Sequence, residues 1–205
     1  MILTDDYPVP GQLLEFGNLF FFTDPTTHVD ELCWYLRQSG VTCFHVRGWQ
    51  MRTSEDVFRE FAAALQFPLY FGNNGGAFDE CLSELSWQFF GKAIVIVIAD
   101  AGQMMADDDQ MYFENFITGF GIAVRAYSQP EVNGPLCEQR PAIPFHFVVD
   151  FLDNAGRARW ETAGASLTPL DTSELRSTIA DVLERGRQET ARYLATLQSE
   201  SEDEQ

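Results

Sequence analysis

Residues 93–99 read Ala-Ile-Val-Ile-Val-Ile-Ala and form the longest uninterrupted apolar run in the chain. A run of this length suits a β-strand, because a helix that crosses a bilayer needs about 20 apolar residues. Consecutive Ile and Val residues, apolar on both faces, are typical of a parallel strand that is covered on both sides of its sheet. This run therefore predicts the central strand of a parallel sheet.

Short strands and helices alternate on both sides of this central run. Further strands are predicted at residues 19–22, 41–46 and 145–151. Strands that alternate with helices are typical of α/β proteins. The predicted fold class is therefore α/β, with a small parallel β-sheet of three to four strands packed by helices.

The helices are predicted from apolar spacing and from end signals. A helix at 28–39 is followed by Gly40, a typical C′ residue. Thr53 and Asp56 have the spacing of a capping box at the start of the next helix, which Pro68 ends. The remaining helices carry the apolar stripes Phe78, Cys81, Leu82, Leu85; Phe113, Phe116, Ile117, Phe120; and Leu175, Ile179, Val182, Leu183.

Charge is the outlier in the composition. The chain has 13 basic and 31 acidic residues, a formal net charge of −18. Between Arg59 and Arg125 the only basic residue is Lys92. This balance argues against nucleic acid as a partner, because phosphate binding needs a basic footprint. It favours a basic protein partner, although solubility alone would explain the same charge.

The cysteines and the N-terminus bear on the compartment. Cys33, Cys43, Cys81 and Cys137 include no CxxC pair, which is typical of reduced thiols. No positively charged segment followed by an apolar stretch opens the sequence, and no run is long enough to cross a membrane. We therefore expect a soluble cytoplasmic protein with no membrane partner.

No motif for enzyme chemistry is visible. His28, His45 and His146 lack metal-ligand spacing, and residues 107–109, all Asp, favour a helix cap over a divalent-cation site. The glycine-rich turn at 72–76 lacks the Lys and Ser/Thr of a phosphate-binding loop. We expect no metal, no cofactor and no enzymatic activity; a small α/β enzyme with an unrecognised site is the alternative.

Residues 67–86 offer a surface instead. A turn rich in Gly and Asn, flanked by Tyr70 and Phe71, precedes a helix whose apolar stripe is buried. That helix leaves polar and acidic side chains towards solvent: Asp79, Glu80, Ser83 and Glu84. Aromatic side chains beside clustered carboxylates suit a basic protein cleft. An ordinary solvated helix after an ordinary turn is the alternative.

The same stretch resembles the barstar family, whose type member inhibits the secreted ribonuclease barnase. Phe67-Pro68-Leu69-Tyr70-Phe71-Gly72-Asn73-Asn74 matches a family segment position for position, and Ala77 and Cys81-Leu82 follow in register. Val46-Arg47-Gly48-Trp49 resembles the family's strand-turn, and residues 94–98 its central strand. The resemblance covers residues 41–121 and the strand at 145–151.

The resemblance implies a three-stranded parallel sheet in which a second helix and its preceding loop enter a ribonuclease active site. There, carboxylates of the inhibitor replace substrate phosphates. Together with the surface described above, it predicts the following toxin-binding residues: Tyr70, Phe71, Gly72, Asn73, Asn74, Gly75, Gly76, Asp79, Glu80, Ser83 and Glu84.

Some positions depart from the family pattern. Glu80 occupies the position of the family's most important aspartate, whereas Gly76 replaces its other principal aspartate. Asp79 stands where the family has a tryptophan, and Thr118 lies near the position of an acidic residue. Such exchanges are compatible with a related inhibitor whose toxin has a different active site.

The predicted organisation has four parts. A βα extension at 1–40 precedes a barstar-like domain at 41–151; a helical extension at 152–198 and a disordered acidic tail at 199–205 follow. The leading hypothesis is a cytoplasmic immunity protein that blocks a basic toxin, with a ribonuclease as the favoured class. The alternative is a barstar-fold interaction module with a non-nuclease partner. The sequence leaves the oligomeric state open.

Overall fold

The structure is a computed structural model that describes residues 7–17, 19–22, 28–85, 91–130 and 140–203. It divides the chain into two compact units, residues 1–171 and 172–205. No helix among the described residues is long and apolar enough to cross a membrane. Cys33, Cys43 and Cys81 are buried free thiols, while Cys137 lies outside the described residues.

The first unit is built on a five-stranded sheet in which every pairing is parallel. Its strands are β1 (Leu19–Phe22), β2 (Thr42–Arg47), β3 (Ile94–Ala99), β4 (Phe145–Asp150) and β5 (Leu167–Pro169), in the order β2-β3-β4-β1-β5. The predicted parallel α/β fold is confirmed, but the predicted count of three to four strands is too low. The missed strand, β5, has only three residues, too few for a periodic pattern.

Among the residues that the structure describes, five α-helices accompany this sheet. They are α1 (Val29–Gln38), α2 (Ser54–Leu65), α3 (Gly75–Ser83), α4 (Gln110–Tyr127) and α5 (Asn154–Thr162). The capping box of α2 is confirmed, since Oγ1 of Thr53 accepts from the Asp56 backbone N–H while the Asp56 side chain accepts from the Thr53 backbone. Helix α5 was not predicted, because it buries only Trp160 and therefore lacks an apolar stripe.

The two faces of the sheet carry different helices. Val46, Ile96 and Phe147 join the main core together with residues of α2, α3, α4 and α5. Side chains alternate along a strand, so Cys43 and His45 of β2 point to the other face. There His45 lies 3.9 Å from Asp30 of α1. Helices α3 and α4 therefore lie on the face of the sheet opposite to α1.

Strand β1 belongs to the predicted N-terminal extension, yet it lies in the same sheet as the central domain. Its Leu19 is paired with Phe147 of β4, and its other edge pairs with β5. The expected boundary between residues 40 and 41 thus falls inside one compact unit. Local sequence patterns do not encode pairing between distant strands, so they give no sign that β1 joins this sheet.

The second unit is a single helix, α6 (Ser173–Asp203), of 31 residues. At 1.5 Å per residue it is about 46 Å long. Residues 199–203, predicted to be disordered, continue this helix, while residues 204–205 lie outside the described part. The acidic tail follows good helix formers directly, so extending the helix needs no new nucleation.

Candidate protein-binding site

The helix that carries the candidate site, α3, packs on the rest of the fold through a cluster of aromatic side chains. The Phe78 ring centroid lies 5.2 Å from that of Phe61, 5.3 Å from that of Phe116 and 5.6 Å from that of Phe58. Phe78 is buried, and it ties α3 to both α2 and α4. The exposed face of α3 is therefore presented by a packed helix rather than by a loose loop.

In the loop before α3, the side chain of Phe71 packs inward and that of Tyr70 faces solvent. The Phe71 ring lies 5.0 Å from Phe67, and the Phe71 backbone N–H donates to the Pro68 carbonyl at 2.9 Å. Tyr70 points outward and is 77% exposed. Desolvation, together with the nearby Glu84 and Glu80 carboxylates, raises the pKa of the Tyr70 phenol. Phe71 is thus part of the support, whereas Tyr70 is available for contact.

The start of α3 is fixed by Gly72, Asn73 and Asn74. Asn73 has a left-handed backbone with φ of 48°. The Asn74 side chain caps α3, because its Oδ1 accepts from the Ala77 backbone N–H at 3.0 Å and its Nδ2 donates to the Gly72 carbonyl at 3.1 Å. A Cβ at position 72 would lie 2.8 Å from that Nδ2 atom, so a larger residue there would displace the capping side chain.

The acidic side chains follow on the outer face of the helix. Asp79 and Glu80 are exposed, while Ser83 and Glu84 are half-buried. Within the described residues, neither Asp79 nor Glu80 accepts a hydrogen bond or forms an ion pair through its carboxylate. Carboxylates without an internal partner are available to a cation supplied by another molecule.

The Asp79 carboxylate lies close to the backbone of α4 at the buried Gly119. A Cβ at position 119 would lie 2.9 Å from Oδ1 of Asp79, so a larger residue there would displace this carboxylate. Desolvation raises the pKa of Asp79. This carboxylate is therefore placed where its charge is less well solvated than on an open surface.

Two grooves are lined by seven of the eleven predicted toxin-binding residues, while Tyr70, Phe71, Gly72 and Gly76 line neither. Asn73, Asn74, Gly75 and Asp79 line a cavity of about 390 Å³ that we call the α3–α4 cleft. Glu80, Ser83 and Glu84 line a second groove of about 390 Å³, with Arg140 on its other side. Asp79 and Glu80 are neighbours in sequence but face different grooves, as expected for adjacent residues about 100° apart on a helix.

Residues of α4 complete the α3–α4 cleft and were missed from the sequence. Tyr112 and Asn115 line the cleft beside Asp79. Both are exposed and flank the apolar stripe of α4. Their spacing marks them as neighbours on one helix, but only the packing of α4 against α3 brings them to the predicted surface.

Of the other polar candidates, His146, Asp107 and Asp109 contact groups of the chain itself. The buried His146 ring lies 3.2 Å from the Leu13 carbonyl through Nε2, and desolvation lowers the pKa of His45. Asp109 caps α4 by accepting from the Met111 backbone N–H at 2.8 Å, and Asp107 pairs with Arg52 at 2.6 Å. The described residues contain no group of three or more metal-ligating side chains.

Similar solved structures include Cdc6p from Pyrobaculum aerophilum, with 15% identity, a TM-score of 0.47 and coverage of 88% of this chain and 46% of that one. The ORC2 protein of Aeropyrum pernix follows, with 8% identity, a TM-score of 0.45 and coverage of 87% and 47%. The chain spans about half the length of these structures. At TM-scores below 0.5, these likenesses bear on neither mechanism nor partner. A search of curated proteins found no match.

A family model matches residues 41–150, more than half of the chain. Its description is Barstar (barnase inhibitor). The matched residues run from the start of β2 to the end of β4 and include α3, its preceding loop and the α3–α4 cleft. The chain belongs to the Barstar (barnase inhibitor) family.

Proposed function

We propose that this chain is an inhibitor that binds and blocks the active site of a basic toxin, a ribonuclease, through α3 and its preceding loop. In this role it acts as an immunity protein in the cytoplasm and catalyses no reaction itself. The family description supports the proposal, since it names the inhibition of barnase.

The observation that carries the proposal is the pair of unpartnered carboxylates on a firmly packed helix. Asp79 and Glu80 make no ion pair within the described residues, and Phe78 anchors α3 from below. A ribonuclease active site is positively charged because it must bind a phosphodiester. Carboxylates that are already positioned gain attraction there without first breaking an internal bond and without ordering a loop.

The charge of the whole chain supports the same partner. A net charge of −18 creates a long-range field that attracts a basic protein and raises the association rate. An immunity protein benefits from this rate, because the toxin must be captured before it cleaves cellular RNA. The field itself specifies no contact, which leaves specificity to the α3 surface.

The test is inhibition of RNA cleavage. The purified chain is titrated into barnase and into several other basic secreted ribonucleases while cleavage of a fluorogenic RNA is measured. We expect at least one of these enzymes to lose its activity at equimolar inhibitor. A complex that forms without loss of cleavage would contradict the inhibitor role and favour an interaction module. The absence of any complex would contradict both.

A further inference from the structure

The α3–α4 cleft combines an apolar floor with a polar rim. Its floor is formed by Phe58, Phe78 and Phe116, and its rim includes Asp79, Tyr112 and Asn115. Its volume of about 390 Å³ is that of a small ligand pocket, for which about 300–1,000 Å³ is usual. The cleft is therefore large enough to accept a whole side chain from a bound protein.

We propose that the α3–α4 cleft receives an arginine side chain of the partner protein, with Asp79 as its counter-ion. This inference deepens the proposed function and rests on it for the identity of the partner. It adds Tyr112 and Asn115 of α4 to the binding surface and gives Asp79 a role distinct from that of Glu80.

The Asp79 carboxylate is the feature of the cleft that favours a cation. It lies close to Gly119 and accepts no hydrogen bond within the described residues. Desolvation also raises the pKa of Asp79, so the charged form lacks some of the solvation it would have in open water. A cation that enters the cleft supplies the missing interaction through charge-assisted hydrogen bonds.

The aromatic walls of the cleft favour arginine over lysine as the bound side chain. Tyr112 is 53% exposed beside the rings of Phe58 and Phe116. A guanidinium is planar and weakly hydrated, and it stacks on aromatic rings better than an ammonium does. Asn115 makes no hydrogen bond within the described residues, so its side-chain oxygen is available to a second N–H of the same guanidinium.

An anion is a poor occupant, even though helices α2, α3 and α4 all begin beside the cleft. One N–H at the start of each helix is already engaged by a side chain of this chain. Asn74 caps α3, Asp109 caps α4, and Asp108 accepts from the Ser54 backbone N–H at the start of α2. The Asp79 carboxylate would in addition repel a phosphate.

The test uses a small probe, Nα-acetyl-arginine N-methylamide, with the complete chain. Backbone amide shifts and the Asp79 carboxyl ¹³C signal are followed by NMR as the probe is added. We expect saturable shifts at residues 73–79 and 112–116, a Kd on the order of 1–10 mM, and a fall in the pKa of Asp79 at saturation. The corresponding lysine probe should bind more weakly.

Two variants and an apolar probe make the test decisive. Asp79→Asn should weaken arginine binding at least about tenfold. Asp30→Asn is the matched control, because Asp30 lies on α1 at the opposite face of the sheet with a side chain 90% exposed; it should bind the probe like the wild type. Equal binding of the norleucine analogue, or wild-type affinity in Asp79→Asn, would overturn the proposal, as would the absence of shifts.

The result is separable from the proposed function. Arginine binding that depends on Asp79, found in a chain that inhibits no ribonuclease, would support the cleft and contradict the inhibitor role. Inhibition of a ribonuclease that Asp79→Asn leaves unchanged would support the inhibitor role and contradict the cleft.

Discussion

Two acidic regions differ in how their carboxylates are used: one contains Glu60 and Asp107, and the other is the outer face of α3 with Asp79 and Glu80. Glu60 of α2 accepts hydrogen bonds from the Arg47 side chain at 2.7 and 2.9 Å and from the Arg47 backbone N–H at 3.1 Å. Asp107, before α4, accepts from Arg52 at 2.6 and 2.7 Å. Asp79 and Glu80 of α3 have no such donors within the described residues.

The pKa values move in opposite directions in these two regions. Hydrogen bonds from Arg47 lower the pKa of Glu60, and those from Arg52 lower the pKa of Asp107. Desolvation raises the pKa of Asp79. Glu60 and Asp107 thus stabilise the fold through an arginine of the same chain. Asp79 and Glu80 have no such partner within the described residues and are available to bind another protein.

The largest expected effect is on binding at Glu80. We expect Glu80→Ala to weaken binding of the inhibited ribonuclease at least about 30-fold, because truncating one partner of a buried charge pair costs about 2–5 kcal/mol. Dissociation should become faster, and the melting temperature should stay unchanged, since Glu80 makes no internal ion pair within the described residues. Surface plasmon resonance and thermal unfolding measure the two quantities.

Asp30→Ala is the control for that experiment, since it removes the same charge from α1 on the opposite face of the sheet. Wild-type affinity in Glu80→Ala, with an unchanged melting temperature, would remove the distinction between the two acidic regions.

At Glu60, whose side chain is only 12% exposed, we expect a loss of stability without a loss of binding. Glu60→Ala should lower the free energy of unfolding by about 1–3 kcal/mol, because hydrogen bonds to charged groups contribute this much and the Arg47 donors would lose their acceptor. Ribonuclease binding should be retained. Urea unfolding checks this, with Glu55→Ala as control: Glu55 is 78% exposed and only 3.7 Å from Arg59, so its loss should cost less than about 0.5 kcal/mol.

Ionic strength should affect the association rate more than it affects the stability that Glu60 provides. The association rate with the ribonuclease should fall about tenfold or more between roughly 0.05 and 0.5 M salt, because screening weakens long-range attraction. The stability that Glu60 provides should change less, since its partner is in direct contact. Stopped-flow mixing at several salt concentrations measures the rate, and a flat profile would exclude electrostatic steering.

The smallest expected effect is the dependence of stability on pH. The lowered pKa of Glu60 means that its stabilisation is present above the unfolded-state pKa and is lost as pH falls through the folded-state value. The raised pKa of Asp79 has the opposite sign: its charged form costs stability at neutral pH, and the cost disappears as pH falls through the raised value.

Asp79→Asn should therefore raise the melting temperature slightly at pH 7, by about one or two degrees, and make no difference in acid. Glu60→Gln should lower it at pH 7, with the difference also fading in acid. Calorimetry of both variants from pH 3 to pH 8 gives the signs. The same sign for both variants would show that the two regions do not differ as described.

Local features of the fold could be predicted from the sequence. The uniform Ile and Val run gave β3, whose residues are all buried, and Thr53 with Asp56 gave the start of α2. Each of these depends on neighbours within one element. Strand β5 and helix α5 are too short or too weakly amphipathic to produce such a pattern.

Long-range features could not be predicted in the same way. Nothing local indicates that β1 lies between β4 and β5, or that Arg52 pairs with Asp107 across 55 positions of sequence. The exposed acidic face of α3 follows from the apolar stripe at residues 78–85, and the resemblance to a family segment indicates that this face binds a partner. The α4 side of the cleft, at Tyr112 and Asn115, required the packing of two helices.

Amide hydrogen exchange in the complex shows whether α3 and its preceding loop contact the enzyme. The chain is bound to the ribonuclease that it inhibits, and exchange is compared with that of the free chain. If α3, its loop and α4 bind the enzyme, exchange should be slower at residues 70–84 and at residues 112–119 and unchanged in α1. Protection of α1 on the opposite face of the sheet, with residues 70–84 exchanging as in the free chain, would contradict the claim that α3 and its loop block the enzyme.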